Sequence, residues 1–160
     1  MRQLDQRSLL RAVFRIVNRF IVVPGFKMGL GRFISNPLTG NIMVLGIRGR
    51  KTGKIRYAPV SFAWQDEKVY CYQGRETRGQ WYLNILAHPD VDVLLPRERF
   101  TGRAEQLPEG PERLKALRML LQGSGLSRSM YGFNPADASD QELEEKTRGI
   151  PVISISLNQG

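Results

Sequence analysis

Nine consecutive residues hold the densest chemistry in the chain: Arg48-Gly49-Arg50-Lys51-Thr52-Gly53-Lys54-Ile55-Arg56. Five of the nine are cations, and the two glycines predict a tight turn among them. Like charges across a hairpin destabilise it, so an empty turn gains nothing by collecting them. An anionic ligand would supply the missing counter-charge. Gly49 and Gly53 let backbone N–H groups converge on such a ligand, and the Thr52 hydroxyl adds a donor. Lys54 and Arg56, two apart, share one face of an extended strand. The plainer alternative is a solvated basic turn that keeps a sheet end soluble. The spacing is not that of a P-loop, since a strand rather than a helix follows, and no G-x-G-x-x-G fingerprint occurs.

Other reactive residue types are scarce. His88 is the only histidine and Cys71 the only cysteine. An internal disulfide is therefore excluded, as are the usual Cys/His metal sites and a nucleophile paired with a spare histidine. Ala87-His88-Pro89-Asp90 reads as a helix end, where the histidine satisfies a backbone carbonyl. Cys71 lies in an alternating strand and reads as a small buried apolar residue. The formal net charge is +9, which favours an anionic partner: a nucleic acid, a membrane surface or a phosphorylated small molecule. Charge alone does not choose among them.

The elements that must position the hairpin follow from pattern and punctuation. Strands are expected at Asn41–Arg48, Ile55–Trp64, Val69–Gln73, Val91–Leu95, Arg99–Leu107 and Val152–Leu157. Short helices are expected at Gln80–Ala87, at Pro111–Gln122 with proline in its first turn, and at Ser139–Lys146. In the last of these, Ser139 and Glu142 form a capping box. Six strands, mostly joined by hairpins and covered by a few helices, predict a small antiparallel barrel rather than a doubly wound sheet.

At this level the chain resembles a known family. Gly49-Arg50-Lys51-Thr52-Gly53-Lys54-Ile55-Arg56-Tyr57-Ala58-Pro59 is similar to the G-R-K-[ST]-G-x-x-R-x-x-P signature of the deazaflavin-dependent nitroreductase/quinone reductases. Trp81-Tyr82-Leu83-Asn84, followed by Ala87-His88-Pro89, resembles their W-Y-x-N-L-x-A-N-P segment. Asn36-Pro37-Leu38-Thr39-Gly40 and Gly149-Ile150-Pro151-Val152 also match, in order. The resemblance implies an α+β, six-stranded split β-barrel of the FMN-binding type over residues 36–160, behind an N-terminal amphipathic extension at 1–35. It implies hydride transfer from reduced coenzyme F-420 to a quinone, nitroaromatic or other electron-poor acceptor. FMN is the alternative cofactor, and relatives of the same barrel bind haem or have lost redox activity.

Carried over by position, Lys51 and Arg56 would hold the anionic tail, Thr52 and Gly53 would shape the turn, Arg50 and Lys54 belong to the same cofactor-binding hairpin, and Pro59 would line the ring site. Gln73, Gly74 and Arg75 match a segment that contacts ring and tail, and Gln80 and Trp81 would complete the cradle from a helix N-terminus. Without the motif, Trp81 would read as a core residue. Tyr131, beside Phe133, is the candidate on the substrate side, either donating a proton or filling a pocket. Gly74 stands where the family carries a small hydroxyl residue, and the loop from Arg75 to Trp81 is short. The whole assignment requires the hairpin turn to adjoin a cavity that it shares with Trp81.

The first two dozen residues make a separate case. At helical spacing, Arg7, Arg11, Arg15 and Arg19 fall in one arc, while Leu9, Leu10, Val13, Phe14, Ile16, Val17, Phe20 and Ile21 fill the opposite one. Pro24-Gly25 is expected to interrupt the helix. Such a face suits docking at an anionic membrane surface, or packing on the barrel or on a second subunit of a homodimer. No apolar run approaches the length of a membrane span, and no signal-peptide pattern is seen. The expected location is cytoplasmic, or peripheral at the inner face of the cell membrane. A strand-binding basic barrel for nucleic acid is the rival from another class. It is disfavoured because the cations gather at one turn and one helix face instead of tracking a groove.

Overall fold

A computed structural model describes residues 12–13, 15–36, 40–74, 79–124 and 132–158. A helical stretch passes through a π-helical turn at Asn18–Val22 into α1 (Val23–Lys27), and α2 (Gly31–Ile34) follows. Strands β1 (Ile42–Arg48), β2 (Ile55–Ser61), β3 (Ala63–Gln65) and β4 (Lys68–Tyr72) lead to α3 (Gln80–Ala87). Then come β5 (Asp90–Leu94), β6 (Arg99–Gln106), α4 (Pro111–Gln122), α5 (Asp140–Lys146) and β7 (Val152–Leu157).

All strands join one antiparallel sheet in the order β2-β1-β5-β6-β7-β4-β3. The count is seven, not six, because the strand expected over Ile55–Trp64 is interrupted at Phe62. Its first part pairs with β1 and its second with β4. These two parts are the opposite edges of the sheet, yet a single residue separates them in the chain. The sheet must therefore curl until its edges meet at Phe62.

Strand alternation sorts side chains onto the two faces of this curl. Met43, Leu45 and Ile47 of β1, Val69 and Cys71 of β4, Val91 and Val93 of β5, and Ile153 and Ile155 of β7 form the interior cluster. Tyr82 and Ile85 of α3 belong to the same cluster, so that helix plugs one end of the curl. On the outside, Leu117 and Leu120 of α4 pack on Tyr70 and Val152. Val22 and Phe26 pack on Val44 of β1 and its partner Leu94 of the adjacent β5.

Pro24-Gly25 does not interrupt the helix as expected. The turn before it is π-helical, with the Val23 N–H donating to the Asn18 carbonyl. That wider turn absorbs the donor proline lacks and the crowding it causes four residues back. The remaining helices follow their sequence signals. Pro111 opens α4, and the Glu142 N–H donates to Ser139 Oγ at 3.1 Å to cap α5.

Candidate cofactor-binding site

The hairpin between β1 and β2 is closed by two backbone hydrogen bonds. The Gly49 N–H donates to the Lys54 carbonyl and the Gly53 N–H to the Gly49 carbonyl, each at 2.8 Å. Gly53 has φ +68°, a conformation strained for any side chain. A Cβ at Gly49 would stand 2.9 Å from Thr52 Oγ1. The two glycines are thus required by the turn itself. Among the described residues the Lys51 and Thr52 N–H groups have no acceptor, and no carboxylate pairs with Lys51, Lys54 or Arg56.

Arg50 behaves differently from its neighbours. Its backbone N–H donates to Asn84 Oδ1 at 3.2 Å, and its guanidinium donates to the same oxygen at 2.9 Å. It also donates to Gln80 Oε1 at 3.1 Å. Arg50 therefore bolts the turn to α3, and its cationic fork is already engaged. Asn84, 8% exposed, is the site residue that sequence reasoning missed. The available signal was a polar residue on the buried face of a helix whose neighbours Tyr82 and Ile85 are core.

Clamped in this way, the turn overhangs a cavity of about 390 Å³. Gly49, Lys51, Thr52 and Arg56 form one wall, and Ile47 and Ala58 give an apolar floor. Gln80, Trp81 and Asn84 of α3 face them. Strand register explains the floor: Arg56 pairs with Ile47 and Ala58 with Leu45, which places all of them on the interior side at the open end of the curl. The hairpin thus shares its cavity with Trp81, as the sequence assignment required. Trp81 also packs against the interior cluster, so it is a core residue as well as part of the cavity wall.

The other expected residues are placed as follows. Pro59 is one step out of alternation with Ala58 and does not line the cavity; it pairs with Val44, whose side chain lies under the N-terminal helices. Lys54 sits on the turn but does not line the cavity either. Gln73 is buried, and its Oε1 has no hydrogen-bond partner among the described residues. A Cβ at Gly79, the residue before α3, would lie 2.3 Å from that atom, so this lone acceptor stands at the start of the cavity's helix. Gly74 lines a different apolar cavity of about 320 Å³, together with Phe133, Tyr72 and Lys146. Arg75 and Tyr131 lie outside the described residues. Cys71 is fully buried, and desolvation pushes its thiol well above the ordinary range, which fits an inert core residue. At His88 the backbone N–H satisfies the Asn84 carbonyl at 2.8 Å.

A curled antiparallel sheet with a cationic turn over an apolar-floored cavity defines a small α+β protein with a pocket of mixed charge and apolar character. The family comparison is more specific. The model of the F420H(2)-dependent quinone reductases matches residues 25–126, and the chain belongs to that family of oxidoreductases. Among solved structures, an F420-H2 dependent reductase is 26% identical with a TM-score of 0.54, over 72% of this chain and 93% of that one. A domain-swapped dimer is 21% identical (TM-score 0.54) over 94% of this chain and 98% of that one. A haem storage protein from Vibrio cholerae, HutZ, is 12% identical (TM-score 0.53) over 87% and 92%. The last two likenesses speak to fold alone. No curated protein matches the sequence.

Proposed function

We propose that the chain binds coenzyme F-420 in the cavity beneath the hairpin and reduces a quinone or a similarly electron-poor acceptor. The observation that carries this is the pairing of wall and floor. Cations and backbone N–H groups that have no partner among the described residues form one side of a cavity whose base is Ile47 and Ala58 and whose far side is Trp81. Such a site suits a molecule with a flat apolar ring and an anionic tail. The unpartnered Gln73 acceptor beside α3 matches a ring that carries N–H donors.

Lys51 and Arg56 would hold the tail as point and fork charges, with the Lys51 and Thr52 N–H groups adding directional donors. Trp81, Ile47 and Ala58 would hold the ring and keep water from its face. Arg50 would not touch the tail; with Asn84 it would fix the wall at the right distance from α3. When bound, reduced F-420 supplies two electrons and one proton as hydride, and a second proton from solvent or a side chain completes a hydroquinone. Tyr131 is the candidate for that second proton. On this chain's side, catalysis would rest on orientation more than on a tuned acid or base.

Titrating the purified protein with F-420 and with FMN, followed by fluorescence, tests the proposal. Saturable F-420 binding that weakens in Lys51→Ala/Arg56→Ala is expected. Binding of neither cofactor, or binding indifferent to both cations, rejects it. Tyr131→Phe assayed with several acceptors tests the proton donor, and unchanged turnover removes it from the mechanism.

A further inference from the structure

The cavity beneath the hairpin has a larger neighbour on the outer face of the sheet. Lys27 at the end of α1, Tyr57 of β2, Asp92 of β5 and Arg99 and Thr101 of β6 line a space of about 520 Å³. Register explains its walls. Tyr57 and Asp92 both pair with Gly46, whose neighbours Leu45 and Ile47 point inward, so both face outward. A Cβ at Gly46 would stand 3.1 Å from Asp92 Oδ2 and 3.1 Å from the Tyr57 ring; the bare glycine lets the two side chains close in over β1. Tyr57 is shared. It lines the cofactor cavity as well as this one, and β2 is an edge strand, so a molecule passing over Tyr57 changes face without crossing the sheet. The second cavity is basic on one wall. Lys27 Nζ lies 3.8 Å from the centre of the Tyr57 ring, and the Arg99 guanidinium donates to the Lys27 carbonyl, which holds the two residues together. Among the described residues neither forms an ion pair with a carboxylate.

We propose that this cavity takes the far end of the F-420 tail, the glutamates that follow its phosphate. The inference rests on the F-420 reading above and adds a second subsite to it. With the phosphate held at Lys51 and Arg56, the tail would leave along β2. Tyr57 stands one strand residue, about 3.3 Å, beyond Arg56, within reach of the first glutamates. Their carboxylates would then meet Lys27 and Arg99. Thr101 Oγ1 accepts from Asn158 Nδ2 at 2.9 Å, which leaves its own O–H to donate to the tail. Asp92 is the one carboxylate among the lining residues, so two cations leave the wall net positive. FMN carries a phosphate but no glutamates, and the same subsite would set F-420 apart from it.

Fluorescence titration of the full chain with two forms of the cofactor tests this, one carrying the phosphate but no glutamates and one carrying several. The longer form should bind roughly tenfold tighter, and the gap should narrow in high salt. Lys27→Ala/Arg99→Ala should close the gap by weakening the longer form alone, whereas Lys51→Ala/Arg56→Ala should weaken both. Arg99→Lys, which keeps the charge, should keep most of the gap. Asp92→Asn should widen it by about threefold. Equal affinity of the unaltered protein for the two forms overturns the tail subsite alone. So does a gap that persists in Lys27→Ala/Arg99→Ala, or a loss there that falls equally on both forms. Binding of neither form rejects the F-420 reading, and the subsite with it.

Discussion

Arginine does two different jobs in the two halves of this molecule. In the first half, Arg19, Arg32 and Arg56 face solvent or a cavity with no carboxylate paired to them among the described residues. In the second half, Arg113 is 2% exposed and donates to the Thr147 and Ile150 carbonyls at 2.7 and 2.9 Å, with Glu109 at 3.2 Å. Arg118 likewise donates to the Pro135 and Ala138 carbonyls and to Asp140. These bonds tie α4 to the segments on either side of α5. An arginine whose guanidinium is engaged by the protein's own carbonyls and carboxylates holds the fold, and one left unengaged is available to a ligand. Arg50 is the instructive exception: it belongs to the cationic hairpin by sequence but is spent internally on Asn84 and Gln80.

The contrast makes its largest demand at Arg113. Replacing it with alanine leaves two buried carbonyls without donors and a cavity under α4, so stability should fall by about 3–5 kcal/mol, measured by denaturant unfolding. A change under about 1 kcal/mol would erase the distinction between the two kinds of arginine. At the opposite pole, Lys51→Ala/Arg56→Ala should leave the unfolding midpoint nearly unmoved while F-420 affinity drops by roughly a hundredfold. An unfolding shift as large as that of Arg113→Ala would mean that the hairpin cations are structural too.

Asn84→Ala probes the exception. It should cost about 1–2 kcal/mol of stability and weaken F-420 binding by about tenfold, because Arg50 and the turn lose their anchor. Asn84→Asp, which presents the same acceptor oxygens, should recover both. Loss of affinity in the double cation variant with none in Asn84→Ala would show that the turn needs no anchor. The smallest effect belongs to Ser139→Ala, which removes the cap of α5. About 1 kcal/mol of stability should be lost, with cofactor affinity unchanged.

Much of this was legible before any coordinates. The boundaries of α4 followed from Pro111 and Gly123, and the cap of α5 from Ser139 and Glu142, because these signals act within one turn of helix. The hairpin was readable because Gly49 and Gly53 answer a local demand of the backbone. The break at Phe62 was not, since Ile55 to Trp64 carries an unbroken apolar rhythm and only pairing with β4 divides it. Pro24 misled for a related reason: its missing donor was absorbed by a π-helical turn that neither the proline nor the residues before it announce.

The sequence by itself determined that a positively charged strand-to-strand turn would exist and that an anion was its natural partner, because turn geometry and charge are properties of neighbouring residues. Only the tertiary structure decided which of those charges are free. Arg50 meets Asn84 across thirty-four positions, Ala58 rather than Pro59 faces the cavity, and Phe20 lies outside the core that buries Phe26. Each of these outcomes depends on which distant surfaces the curl of the sheet brings together.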